Sequence, residues 1–424
     1  MTLEIRQDRH YIRSASRSTR HLLVRVVAPA GDRRAERLPI TVALVLDRSG
    51  SMAGLKIGLA KQAVDRALSA IDDRDRFAVV VYDDQIDVVA GLAPAAREAK
   101  DRARERLGAI EARGTTNLAG GWLAGCEQVA LGQGDERVAR ALLLTDGLAN
   151  VGITDPAELE HHAGELRRRG VATSTFGVGA DFDEALLQGM ASAGGGHFYY
   201  IERPAQIPDL IASELGEALD VVARAARLQI LLPPGVDARV IGPRPLLRSG
   251  DCWAVELGDL VSRQELDVLL ALNFPHGSDG DEMPVRVSAT DADGALAGAP
   301  GVAGWTYADH RTNDAQPRDR ALDRIVASNH AARARQEAVR LNRGGDLAGA
   351  SRLLRDVARK IRGYAGDDPQ LLELADALDR EATVEFSVPM AEPTRKAVHA
   401  ASYRVLASRD VLGRARRSDP DDRA

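Results

Sequence analysis

The stretch Thr41–Ser51, TVALVLDRSGS, constrains the fold of this chain more than any other. From Val42 to Leu46 every side chain is aliphatic, with no polar residue at alternate positions. A strand with one wet face alternates, so an unbroken run that stops at Asp47 predicts a strand covered on both faces. Leu55, Leu59, Ala63, Ala67 and Ala70 then recur at helical spacing over 55–71. A buried parallel strand feeding a helix implies an open α/β sheet, and ligands of such sheets bind at the carboxyl ends of the strands. Asp47, Ser49 and Ser51 stand at that edge, and the helix after them turns its backbone N–H groups towards it.

The pattern repeats downstream. Strands are predicted over 76–82 (RFAVVVY), 138–144 and 171–178, and a last one over 197–201. Residues 85–89 pair back antiparallel across the Asp83-Asp84 turn, and helices intervene over 94–110, 118–130, 156–169, 183–193 and 207–223. This alternation predicts a doubly wound, mostly parallel Rossmann-like sheet over residues 39–223. Between 224 and 310, short strands (LQILLPP, CWAVEL, LDVLLALNF, MPVRVSAT) alternate with Gly, Pro and Asp turns, which predicts an antiparallel β-sandwich module. Residues 1–38 contain an alternating stretch, His21–Val27, expected to join that sandwich. Residues 311–383 turn to Ala-, Arg- and Leu-rich periodicity, read as a helical hairpin around NRGGD with a third helix over 368–381. The hairpin is similar to a single tetratricopeptide-type unit. The segment 384–424 is charged and apolar-poor towards its end, and disorder is expected from about 414.

Composition narrows the function classes. A net charge of -6 with 28% charged residues carries no nucleic-acid signature. No apolar run approaches the roughly 20 residues needed to span a bilayer, and MTLEIRQDRHYIR has no apolar core of a secretory signal. Cys126 and Cys252 are far apart and lack metal-ligand spacing. These features predict a cytoplasmic protein without membrane insertion or a disulfide framework.

Two later motifs fall at the same sheet edge: Thr116 in the loop RGTTNL, and Asp146 at the end of VARALLLTD. Thr115 is the neighbour that could stand in for Thr116. Asp47, Ser49, Ser51, Thr116 and Asp146 offer only oxygen, which suits Mg²⁺, with Mn²⁺ or Ca²⁺ as alternatives, and does not suit zinc or copper. Hydroxyls outnumber carboxylates, so a dication there keeps net positive charge and an open position for an external carboxylate. Each motif has a plainer reading beside it, since Asp and Ser cap helices after strands and TDG is often only a turn. Asp83, Asp84 and Asp87 read as a solvated hairpin turn. Asp181 and Asp183 read as helix caps, and His161, His162 and His197 as surface or core residues. Cys126 reads as packing, and Gly194–Gly196 as a tight turn; no GxxxxGK[ST] phosphate cradle occurs.

DRSGS at 47–51, Thr116-Asn117 and LLLTDG at 142–147 together resemble the von Willebrand factor A family and its metal-ion-dependent adhesion site. The resemblance covers about residues 39–222, and the flanking modules are similar, less specifically, to bacterial multidomain proteins of this kind. It implies a Mg²⁺-binding domain that captures an Asp or Glu of a protein partner, and hence an adaptor without enzymatic activity. An alternative it also implies is a regulatory subunit docking onto a separate AAA+ ATPase or a kinase–phosphatase system. A metal-dependent hydrolase ranks last: it needs a general base, and Asp83 is the one candidate the sequence places near the cation.

Overall fold

The computed structural model describes residues 2–31, 37–132, 134, 137–250 and 252–418. The strands are β1 (Thr2–Gln7), β2 (Tyr11–Arg13), β3 (Ser18–Val27), β4 (Ile40–Asp47), β5 (Arg76–Tyr82), β6 (Ile86–Pro94), β7 (Val138–Thr145), β8 (Val171–Val178) and β9 (Gly195–Ile201). They continue with β10 (Val221–Leu231), β11 (Asp237–Val240), β12 (Leu246–Ser249), β13 (Cys252–Val261), β14 (Glu265–Phe274), β15 (Glu282–Thr290) and β16 (Gly301–Ala308). The helices are α1 (Leu55–Ala70), α2 (Arg97–Gly108), α3 (Leu118–Ala130), α4 (Pro156–Arg168), α5 (Glu184–Ala193) and α6 (Ile207–Ala218). After them come α7 (His310–Ala315), α8 (Arg320–Arg343), α9 (Leu347–Ala365), α10 (Pro369–Val384) and α11 (Glu392–Leu406). The chain divides into two compact units, Gly31–Val222 and the combination of Met1–Ala30 with Ala223–Ala424.

The unit Gly31–Val222 is built on one six-stranded sheet of order β6-β5-β4-β7-β8-β9. Its pairs are parallel except β5–β6, which is antiparallel. All eight residues of β4 are buried, as its unbroken aliphatic run requires. α3 lies close against the sheet because LAGGWLAGC keeps its inner face small. A Cβ on Gly121 would sit 2.3 Å from the Tyr82 ring, and one on Gly125 would sit 2.2 Å from Val45 Cγ2. Side-chain caps start several helices: Asn117 accepts from Gly120 N, Asp155 from Glu158 N, and Asp183 from Ala185 N and Leu186 N. The doubly wound α/β architecture read from periodicity is the one observed.

The other unit holds two sheets, β1-β3-β14-β11 and β12-β13-β10-β15-β16-β2. β1–β3, β3–β14 and β14–β11 are antiparallel, as are β12–β13, β10–β15 and β15–β16, whereas β16–β2 is parallel. Phe274 and Trp305, one from each sheet, pack with ring centroids 5.2 Å apart. α8 and α9 form the hairpin, turning at Gly345 (φ 83°) with Asp346 capping α9. α10 packs on α9 and α11 on α8. The core of this bundle is alanine-rich, including Ala331, Ala338, Ala350, Ala358 and Ala375 around Leu354, Ile361 and Phe386.

Three expectations fail for physical reasons. α6 stops at Ala218, five residues early, because β10 begins at Val221. α11 escapes the periodicity argument because its buried face includes Lys396, His399 and Ser402 beside Ala400, Tyr403 and Leu406. The expected disorder from about 414 does not hold for 414–418: Glu265 N donates to Arg416 O at 2.8 Å, and Gln264 and Arg417 form an antiparallel bridge. Main-chain pairing needs no apolar side chain, so composition did not reveal it. Residues 419–424 lie outside the described residues.

Candidate metal centre

The register of β4 and β7, Leu46 against Leu144, brings Asp47 and Thr145 side by side where the strands end. Thr145 Oγ1 donates to Asp47 Oδ2 at 2.6 Å, and Ser49 N donates to Oδ1 at 2.7 Å. Ser49 Oγ lies 3.0 Å from Ser51 Oγ, which in turn donates to Asp146 Oδ1 at 2.6 Å. Asp47 and Asp146 are fully buried, Ser49 and Thr116 nearly so, and Ser51 is exposed. Thr116 reaches the same edge through the loop before α3: its N–H donates to Asn150 Oδ1 at 3.0 Å. A Cβ on Gly147 would stand 3.2 Å from Thr116 Oγ1 and 4.0 Å from Ser51 Oγ, so glycine keeps this mouth clear. Thr115 is exposed, whereas Thr116 is buried.

The loop that carries Thr116 is pinned from several sides. Arg113 N donates to Arg48 O at 2.7 Å, Gly50 N to Gly114 O at 3.2 Å, and Asn117 N to Asp83 O at 2.7 Å. Gly114 adopts φ 68°, and a Cβ there would meet Asp84 Oδ1 at 2.1 Å. Beneath the loop, the buried Arg48 guanidinium pairs with Asp83 at 3.1 Å and with the half-exposed Asp87 at 2.6 Å. Arg113 adds a contact to Asp83 at 2.8 Å. Asp83 is therefore not part of a solvated turn, as the sequence suggested, but the buried acceptor of an ion-pair network.

Electrostatics distinguish these carboxylates. Burial raises the Asp47 carboxyl; the hydrogen bonds from Thr145 and Ser49 offset this only partly, and nearby Asp146 raises it further. Burial alone would raise Asp83 too, but the Gln85 N–H, Arg113 and Arg48 outweigh it and hold its carboxyl below the ordinary value. A carboxylate so engaged is a weak base, which removes the group a hydrolytic reading relied on. Lys56, the second residue of α1, donates from Nζ to Asp146 Oδ2 at 2.5 Å and to Ser51 O at 3.2 Å.

The donor set passes a chemical test for a hard dication. Two buried carboxylates stand beside three hydroxyls, with no nitrogen or sulfur among the five, and the exposed Ser51 leaves the edge open to solvent. Asp47, Ser49, Ser51, Thr116 and Asp146 could hold such an ion. Sequence reasoning missed Thr145, Lys56 and Arg48. Thr145 could have been found from strand register; a helical lysine and a turn arginine carry no signal until the turn folds back.

The remaining residues keep modest roles. Cys126 is buried and its thiol is pushed up to about 12 by that burial, as packing rather than a nucleophile requires. Asp183 caps α5, whereas Asp181 is exposed and precedes the cap. His161 and His162 face solvent on α4. His197 reads from the sequence as a surface or core residue, yet its ring lies with Glu214 and Glu217 in a group whose ligand atoms fall within 4.8 Å of one another. Glu214 is already bonded by Arg140 (3.1 Å), Ser174 (2.6 Å) and Tyr199 (2.7 Å), with His197 Nδ1 at 3.1 Å. Four polar partners make that carboxylate a pin between α6 and the sheet.

Comparison with known proteins agrees with this sheet. Residues 41–213 match the von Willebrand factor type A domain. YfbK of Escherichia coli (strain K12) is 29% identical over 229 residues, which take in 53% of this chain and 40% of YfbK. Human inter-alpha-trypsin inhibitor heavy chain H4 is 30% identical over 165 residues, 38% of this chain and 18% of that protein. The chain thus spans less than half the length of either relative. A solved von Willebrand factor type A protein from Catenulispora acidiphila shares the fold with TM-score 0.73 at 19% identity, over 94% of this chain and 96% of its own. Among the described residues no helix is long and apolar enough to cross a membrane. Sheet order and the matched span give residues 41–213 the fold of a von Willebrand factor type A domain.

Proposed function

We propose that this chain is a metal-dependent protein-binding module whose edge site captures an acidic side chain of a partner. The observation that carries this reading is the pair of fully buried carboxylates, Asp47 and Asp146, ringed by Ser49, Ser51 and Thr116. Burying two anions side by side is costly unless a cation compensates them. Asp47, Ser49, Ser51, Thr116 and Asp146 would hold a divalent ion, Mg²⁺ first and Mn²⁺ or Ca²⁺ as substitutes. Bound there, the ion supplies a Lewis-acidic position that takes an external carboxylate as its last ligand.

The protein's own groups set that position up. Thr145 Oγ1 and Ser49 N fix both oxygens of Asp47, so its orientation is decided before any ligand arrives. The Arg48–Asp83–Arg113 network holds the Thr116 loop over the edge. Lys56 adds positive charge beside Asp146 and favours an anionic partner. With Asp83 committed to its arginines, the general base that the sequence offered is engaged, which favours binding over turnover.

Titration with Mn²⁺, followed by electron paramagnetic resonance, tests the site. One ion per chain is expected, lost in Asp146→Ala, with the far-ultraviolet spectrum unchanged. Capture of partner proteins from the native host should require Mg²⁺, fail in EDTA and fail in Asp47→Ala; equal capture in EDTA would overturn the reading. Recovery of an ATPase among the captured proteins would turn the module into a regulatory subunit. Partners without one would leave it an adaptor.

A further inference from the structure

Far from the metal edge in sequence, the unit with the two extra sheets gathers basic groups around a small residue. In the four-stranded sheet, Arg239 of β11 pairs with Ala271 of β14, and Ala271 pairs with His21 of β3. Directly paired residues share a face, so Arg239 and His21 flank Ala271 on one row, their backbones about 10 Å apart. The row two residues along the strands, Leu23, Leu269 and Ile241, packs together with the buried Ala271 under Leu322 and Val326 of α8. On a helix, His330 and Arg333 continue the stripe of Leu322 and Val326 at intervals of four and three residues. One helical turn advances about 5.4 Å, close to the two-residue step of a strand, so this stripe must cross above the row of Ala271. The His21 and His330 rings meet there edge to face, with centroids 6.0 Å apart.

We propose that Arg239, Arg333, His21 and His330 form a binding site for a phosphate-class dianion at the exposed rim of this apolar cluster. Arg239 and Arg333 are exposed, and neither is among the ion pairs of the described residues. Lys360 of α9 adds a third cation whose charge reaches His330. The acids on this side are few: Asp8 continues the row beyond His21 and is engaged with His21 Nδ1 at 3.5 Å, and Asp237 is exposed two residues before Arg239. The surplus of positive charge is felt at His330, whose ring is held down to about 4 by burial first, then by His21, Arg239, Arg333 and Lys360. Arg333 is lowered in turn by burial and by Arg239. Such mutual repulsion is relieved by an anion with several acceptors, and a tetrahedral dianion offers them towards strand edge and helix at once.

The test uses the full chain with ¹³C-labelled histidine, nine residues in all, the signals assigned with His21→Gln and His330→Gln. Inorganic phosphate should shift the His21 and His330 signals saturably in the low millimolar range. Arg239→Ser/Arg333→Ser should weaken that binding about tenfold or more. The charge-matched control Arg97→Ser/Arg168→Ser, at two exposed arginines of the other unit, should leave it unchanged. O-phosphoserine is the second arm. Tighter binding than inorganic phosphate assigns the site to a phosphoryl group on a larger molecule, and weaker binding assigns it to the free ion. Absence of a saturable shift with both probes, or equal weakening in the control, overturns the proposal.

Discussion

Replacing Arg48 by Met asks how much of the site rests on charge buried beneath it. Arg48 and Asp83 are 4% and 0% exposed and 3.1 Å apart, so neither can be rehydrated when the other is lost. Removing one partner of a buried pair typically costs about 3–5 kcal/mol. Asp83 keeps the Gln85 N–H at 2.6 Å and the half-exposed Arg113 at 2.8 Å, which brings the expected cost below that range, to about 2–3 kcal/mol. Because the protein has two units, a single unfolding midpoint would mix them, and hydrogen exchange read peptide by peptide keeps them apart. Exchange in β4, β5 and β7 should accelerate about 30- to 150-fold, and peptides of β3, β14 and α8 should not change. In Asp83→Asn/Arg48→Met the stranded charge is gone, so the double variant should lose at least 1 kcal/mol less than the sum of the single losses, roughly the coupling of contacting charges. A single-variant acceleration under about threefold, or strict additivity, would refute the claim that this pair anchors the edge. The pH dependence has a definite sign. Asp83 sits below its ordinary carboxyl value in the folded state, so its contribution is complete above the unfolded value near 3.9. It is lost as pH falls through the lower folded value.

Lys56→Met removes the cation on Asp146 and should tighten Mn²⁺ binding several-fold while weakening capture of acidic partners; looser Mn²⁺ binding would show that Lys56 chiefly orders the carboxylate. Gly125→Ala puts a Cβ 2.2 Å from Val45 Cγ2, so α3 must lift from the sheet at a cost of about 1–3 kcal/mol, read as a lower melting temperature of the unit Gly31–Val222. An unchanged melting point would refute the close seating of α3 on Val45. With its thiol pushed up to about 12, Cys126 should resist a disulfide reagent at pH 8 until the protein is denatured, its thiolate being about one in ten thousand there, while the half-buried Cys252 reacts in the folded state.

How much of this was legible in the sequence follows the range of the forces involved. Val42–Leu46 announced a covered strand because burial is written into every residue of the run, and the sheet built from such runs is the one observed. Asp47, Ser49, Ser51, Thr116 and Asp146 could be nominated because strand ends of a parallel sheet share an edge, whatever their separation in sequence. Asp83 was misread because nothing local shows that Arg48, five residues from the previous strand's centre, folds inward to meet it. Lys396, His399 and Ser402 hid α11 in the same way, since a buried face made of polar groups looks like a surface until its partners are in place. Arg239, Ala271, His21 and His330 are more than 200 residues apart at the extremes and become neighbours only through strand register and one helix stripe. Apolar burial is therefore readable position by position, whereas charge becomes meaningful only in pairs. Both the candidate metal edge and the basic row flanking Ala271 are arrangements of charge, so both have to be tested by removing one partner and asking what happens to the other.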